Sequence, residues 1–313
     1  MIGRGSEAHG IVIVDKPVGP TSHDVVAGLR RALGTRAVGH AGTLDPAASG
    51  VLVVAVGEAT KLLAHLSSSS KRYLATVQFG TSTSTCDRDG DVLAQESLPA
   101  DLAAALAGHP CDRFERALEE ERRRGEQMPP QFSAIKVQGR RAHQLARRGE
   151  HVPLSPRTVR VHELVVLGTR GDSIDLLLHV SKGYYVRALA RDLGHHLGVP
   201  SHLSALRRTA SDPFTIEESV PSTAAPEALM QAGLSLSAAA RRIFAACELT
   251  EEGVRRAGHG QGLTVDHFAS PPAPGVCAWF DPVGRLVALG RGLESERFAP
   301  LRVFAHLTSS SAI

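Results

Sequence analysis

Val51-Leu-Val-Val-Ala-Val56 is an uninterrupted apolar run, entered from a turn punctuated by glycines, Gly39-His-Ala-Gly-Thr-Leu-Asp-Pro-Ala-Ala-Ser-Gly50. Such a run, bounded by turn residues, reads as a buried strand. The loop before it is therefore anchored by packing, and its one carboxylate, Asp45, is presented rather than hidden. Pro46 fixes the backbone beside it, and Gly39, Gly42 and Gly50 permit φ > 0 or a close approach by another chain. Taken alone, an Asp before Pro is a turn former.

The surrounding pattern alternates strands with helices. Ile11–Val14 is a short strand stopped by Asp15-Lys16-Pro17. Thr21-Ser-His-Asp24 has capping-box form ahead of Val25, Val26, Leu29 and Leu33 at helical spacing, with Gly34 as the stop. Tyr73–Phe79 alternates as a strand, helical patterns cover 101–107, 113–124 and 140–148, and 159–167 pairs with 173–180 across Gly171-Asp172. Leu189, Leu193 and Leu197 mark a helix, and Leu203, Leu206, Arg207 and Arg208 a further short one. Asp87, Asp89 and Asp91 form a turn, because a calcium loop would need its glycine elsewhere and a closing Glu.

A chain of 313 residues is long enough for two domains. Pro221-Ser-Thr-Ala-Ala-Pro226 is the expected boundary, being rich in breakers. Cys86, Cys111, Cys247 and Cys277 are widely spaced without a C-x-x-C pair, which argues against a zinc site or disulfide framework. The polar N-terminus lacks a signal-peptide core and no apolar stretch approaches a membrane span, so the expected location is the cytoplasm. Net charge is only +3, yet residues 122–160 carry ten Lys or Arg against Glu126 and Glu150. Interleaved with Pro and Gly, that excess suits a polyanion, whose phosphates are held by long cations and free amides together.

Gly39–Pro46, with Ser49-Gly-Val-Leu52 and Gly57-Glu-Ala-Thr-Lys61, resembles the signature of the TruB family of tRNA pseudouridine synthases. The resemblance continues through Asp15-Lys16-Pro17, Lys71-Arg72-Tyr73, Met128–Lys136, Gly139-Arg140, Ser181-Lys-Gly-Tyr-Tyr-Val-Arg187 and Leu206-Arg-Arg208, over roughly residues 10–215. It departs from the family pattern at Phe132, His143 and Val180. The implied architecture is α+β: a pseudouridine synthase fold with a mixed, largely antiparallel sheet over 1–220, carrying a basic RNA-clasping loop at about 122–150. A linker at 221–245, a small β-rich PUA-like RNA-binding domain at 246–307 and a frayed tail at 308–313 complete the expected organisation.

The resemblance implies isomerisation of uridine to pseudouridine at position 55 in the T loop of tRNA, by a monomer without cofactor, metal or obligate protein partner. Breaking the bond between C1′ and N1 and joining C1′ to C5 needs no redox change, and a carboxylate can start it as in retaining glycosidases. Asp45 is the implied nucleophile, Arg187 its cationic partner and Tyr73 an active-site phenol. Tyr185 and Leu206 are expected to border the extruded base, and His40 to help reorganise the RNA loop. Lys16, Lys136, Arg140, Arg141, Arg147 and Arg148 are expected on phosphates. The alternative is a non-catalytic tRNA-binding or folding factor acting on the T arm.

Overall fold

The computed structural model describes residues 9–66, 70–133, 136–137, 140–141, 145, 152–270, 272, 274–293 and 297–304. The apolar run lies inside the strand Ala48–Val56, whose residues Val51 to Val56 have no exposed surface. Alternate side chains of this strand serve two cores. Val51, Val53 and Ala55 pack with Ile11 and Ile13, while Leu52, Val54 and Val56 pack under the helix Ser22–Leu33. That helix begins with the expected capping box of Thr21 and Asp24 and ends at Gly34 in the left-handed conformation, φ 63°.

The main sheet runs in the order Val161–Arg170, Ser173–Val180, Lys71–Phe79, Ser201–Ser211, Ala48–Val56, Gly10–Lys16, Val220–Pro221. It is mixed. Ser201–Ser211 is parallel to Ala48–Val56, Val220–Pro221 is parallel to Gly10–Lys16, and the other pairings on this path are antiparallel. Tyr73, Ala75, Val77 and Phe79 point to a third core, roofed by the helices Ala100–Leu106, Asp112–Arg122 and Val186–His196.

Residues 201–211, expected to carry a short helix, form a strand instead. Irregularities at Leu203/Ala205 and Arg208/Ala210 interrupt its pairing with Lys71–Phe79, so the apolar residues lose strict alternation. Hydrogen bonding to strands on both sides overrides the local pattern. The proposed linker is also structured: residues 221–245 hold the helices Pro226–Ala232 and Leu236–Ile243, and Leu234–Ser235 pairs with the first strand. Leu229, Leu236, Ala239 and Ala240 are buried there, which gives the segment its own apolar anchor on the sheet.

Beyond it lies a five-stranded sheet with the helix Glu251–Gly258, capped by Thr250. Ala278, Phe280, Leu286, Leu289 and Phe304 of this module share a core with Ile11, Val51 and Val53. The two parts are therefore joined by packing, not by a tether.

One backbone contact sets the geometry near Asp45. Gly50 has φ 103°, and a Cβ placed there would stand 2.2 Å from the carbonyl oxygen of Arg208. Gly50→Ala is expected to lower unfolding stability by more than about 2 kcal/mol, because the backbone conformation and the contact are both unfavourable. A urea titration read by tryptophan fluorescence measures this; an unchanged midpoint would contradict it.

Candidate active site

Asp45 sits between two strands, Val38–Ala41 and Ala48–Val56, in a loop fixed at several points. The buried Ser22 hydroxyl donates to Leu44 O at 3.0 Å and accepts from Leu44 N at 2.9 Å. Gly19 N donates to Pro46 O at 2.9 Å, and Arg208 Nη2 donates to Gly42 O at 2.7 Å. Arg208 is itself buried, with Nε donating to Val51 O at 2.7 Å. The loop is thus held by backbone contacts while the Asp45 side chain stays 38 % exposed.

Arg187, in the first turn of the Val186–His196 helix, spends its guanidinium on this loop and its neighbours. Its Nε lies 2.9 Å from Asp45 Oδ2, and its Nη2 donates to Asp45 Oδ1 at 3.3 Å. Nη1 donates to Thr85 O at 3.0 Å and Nη2 also to Phe132 O at 2.9 Å. The planar fork therefore fixes both oxygens of Asp45 while being held from behind.

A second carboxylate stands there, from a segment whose sequence reads only as a turn. Asp87 is buried, and its Oδ2 lies 3.6 Å from Arg187 Nε. Its other oxygen accepts from Asp89 N at 3.1 Å and from the Thr85 hydroxyl. The loop is pinned to the Ser201–Ser211 strand by Leu203 N donating to Cys86 O at 3.0 Å and Arg88 N to Leu203 O at 3.2 Å. The Asp-x-Asp spacing signalled a turn; only the fold shows that it faces an arginine. Asp87→Asn removes one of two charges on Arg187, and is expected to slow any reaction at Asp45 by roughly 10- to 100-fold through lost orientation of that carboxylate. Single-turnover assays check this, and full activity would remove Asp87 from the site.

A cavity of about 280 Å³ opens at Asp45, lined among others by Tyr73, Tyr185, Leu206, Lys71 and Arg208. Asp45, Tyr73, Arg187, Tyr185 and Leu206 are thus brought together. Tyr185 caps the helix that carries Arg187, and Gln127 clamps it by accepting from Tyr185 N at 2.8 Å and donating to Tyr185 O at 3.1 Å. Burial raises the pKa of its phenol, so Tyr185 remains a neutral wall. Next to it the buried Tyr184 donates to Glu121 Oε1 at 2.6 Å, and Glu121 in turn meets Arg124 at 2.6 Å. Burial raises the Glu121 pKa, and this network ties the Asp112–Arg122 helix to the Ser181–Tyr185 turn.

Other expected site residues lie elsewhere. Lys16, expected on a phosphate, does not reach the protein surface. It is fully buried, and its Nζ donates to Pro17 O at 2.8 Å and Pro20 O at 2.9 Å. Burial lowers its pKa to about 8 against the opposing attraction of Asp45, and the two carbonyl contacts tie it to its own loop. Lys71, which lines the cavity, is likewise lowered to about 8, mainly by burial. His40 stands edge-on to His23, with ring centroids 5.4 Å apart, and is not among the residues lining the cavity. Burial lowers its pKa to about 4, so it is neutral at pH 7.

Lys136 and Val137 pair with Arg141 and Arg140 in a short antiparallel hairpin, where a helix beginning near Arg140 had been expected. His143, Arg147 and Arg148 lie outside the described residues. Among the described residues no group of three or more His, Cys, Asp or Glu side chains could hold a metal ion, and no helix is long and apolar enough to cross a membrane.

A model of the TruB family pseudouridylate synthase N-terminal domain matches residues 30–186. tRNA pseudouridine synthase B of Thermobifida fusca (strain YX) is 44% identical over 308 residues, covering 95% of this chain and 99% of that protein. The enzyme of the same name from Corynebacterium efficiens is 44% identical over 285 residues, covering 90% and 91%. Among solved structures, a Cbf5-Nop10-Gar1 complex aligns with a TM-score of 0.67 and 26% identity over 94% of this chain and 84% of the matched chain. An H/ACA RNP bound to a substrate RNA containing 2′-deoxyuridine aligns with a TM-score of 0.66 and 25% identity, at the same coverage. The mixed sheet is that of the pseudouridine synthase fold, and the curled C-terminal sheet is consistent with a PUA-like domain. With its sequence and fold in agreement, the chain belongs to the TruB family and is a tRNA pseudouridine synthase, an isomerase.

Proposed function

We propose that this enzyme isomerises uridine 55 in the T loop of tRNA, with Asp45 as nucleophile acting on a base turned out of the RNA stack. The observation that carries the reading is the bidentate Arg187–Asp45 pair at the mouth of a cavity walled by Tyr73, Tyr185 and Leu206. A carboxylate oriented by a fork keeps its lone pairs aimed, and an aromatic-lined recess holds a base by stacking.

In the proposed sequence an Asp45 oxygen attacks C1′ as the C1′–N1 bond breaks, and the uracil is retained between the tyrosines and Leu206. The base turns until C5 faces C1′. The C1′–C5 bond then forms as the carboxylate leaves, C5 gives up its proton and N1 takes one up. Tyr73 is placed to pass on the C5 proton, directly or through water. Extrusion costs a few kcal/mol, recovered in the cavity and on phosphates held by basic residues that include Lys136, Arg140 and Arg141.

The test uses an unmodified tRNA transcript with tritium at uracil C5. Release to water, with the product mapped to position 55 by a carbodiimide-dependent stop in primer extension, is the expected result. Release mapped to another uridine would overturn the assignment of position. Binding without release would favour the tRNA-folding reading.

A further inference from the structure

We propose that the cavity between the start of the Val161–Arg170 strand and the Ser181–Gly183 turn is a subsite for the phosphodiester backbone of RNA bound at Asp45. This rests on the proposed action on a tRNA loop and adds a place where the strand beside the extruded base is held. The cavity, of about 430 Å³, is lined by Ser70, Thr158, Arg160, His162, Ser181 and Lys182, together with Val159. It offers two long cations and the Thr158 hydroxyl to phosphate oxygens, while the Ser70 and Ser181 hydroxyls donate to Asp212 Oδ2 and Lys182 O.

The backbone holds the two cations in place. Val161 is paired with Val180 at the end of the sheet, and one residue further out the pairing continues through a side chain. Ser181 N donates to Arg160 O at 2.8 Å, and Arg160 N donates to Ser181 Oγ at 2.7 Å. Arg160 and Lys182 are therefore carried on either side of a doubly bonded serine. Both are exposed, and neither forms an ion pair among the described residues. The nearby Asp212 carboxylate already accepts from the Ser70 hydroxyl and lies 3.7 Å from His179 Nε2.

Position decides what this pair meets. Lys182 immediately precedes Gly183, Tyr184 and Tyr185, and Ser70 precedes Lys71, all four of which line the Asp45 cavity. The two cavities are neighbours along the same segments of chain. A nucleotide extruded toward Asp45 carries a phosphate on each side, and Arg160 and Lys182 line the cavity that adjoins the Asp45 cavity at Gly183 and Lys71. An ordinary solvated surface would also leave arginines unpaired, but it would not fix two cations on either side of a doubly bonded serine around one recess that adjoins the Asp45 cavity.

The experiment measures binding of an unmodified T-arm RNA hairpin by fluorescence anisotropy from 50 to 200 mM salt, for the wild-type protein and two double variants. Arg160→Ala with Lys182→Ala is expected to weaken binding roughly tenfold and to flatten the slope of log K against log salt by about 1.4, about 0.7 for each single-strand phosphate lost. Arg160→Lys with Lys182→Arg keeps both charges and is expected to stay within about twofold of wild type. In steady-state tritium release the alanine pair is expected to raise KM more than it lowers kcat. Wild-type affinity and slope in the alanine pair would overturn the subsite while wild-type tritium release left the proposed function standing. A wild-type protein that neither bound nor turned over the RNA would overturn both.

Discussion

Asp45→Asn is expected to bind tRNA within about threefold of wild type and to isomerise it more than about 10³-fold more slowly, since an amide is a far poorer nucleophile than a carboxylate. Asn has nearly the same shape, and its carbonyl oxygen still accepts from Arg187. The loop holding it is fixed by Ser22, Gly19 and Arg208 through backbone contacts that the substitution does not touch. Folding should therefore be preserved, and the loss should appear in the chemical step. The measurement is single-turnover tritium release at saturating enzyme, paired with filter binding of the same RNA. A variant that turned over at the wild-type rate would remove Asp45 as the nucleophile.

Arg187→Ala is expected to cost both activity and stability. Removing the guanidinium leaves Asp87 buried opposite no cation, and takes a donor from Thr85 O and Phe132 O. Breaking a buried pair by deleting one partner costs about 3–5 kcal/mol. The Asp45 half of the network is 38 % exposed and contributes less through solvent screening, so the lower end of that range is expected. Arg187→Lys is the informative companion. It keeps the charge but cannot grip both oxygens of Asp45 while reaching Thr85 and Phe132, and it should lower turnover by roughly 10²-fold through misplacement of the nucleophile. Thermal unfolding and single-turnover rates, measured on both variants, separate the two effects. A lysine variant with full activity would show that charge alone, without the fork, suffices.

The elements legible in the sequence were those set by short-range rules. The capping box at Thr21, the left-handed stop at Gly34 and the apolar run at Val51–Val56 each appear in the structure as read. The Ser201–Ser211 strand did not, because irregular pairing broke its alternation and let Leu203 and Leu206 imitate a helical face. Residues 221–245 looked like a linker for their prolines, although Leu229 and Leu236 anchor them. Lys16 looked like a phosphate contact because it sits in a motif near Asp45; its ammonium is consumed by the carbonyls of its own loop.

From the sequence alone came the family, and with it the residues proposed as nucleophile and as its surroundings, because the resemblance rests on motifs that can be read locally. Which charges meet was decided only in three dimensions. Arg187 reaches Asp45 across 142 positions of chain, and Asp87 joins them through a turn that its own neighbours do not distinguish from any other. Arg160 and Lys182 come to flank one recess because the pairing of two strands ends beside the Ser181–Tyr185 turn. Periodicity and capping act over a few residues, whereas burial and ion pairing depend on which distant segments the cores bring together.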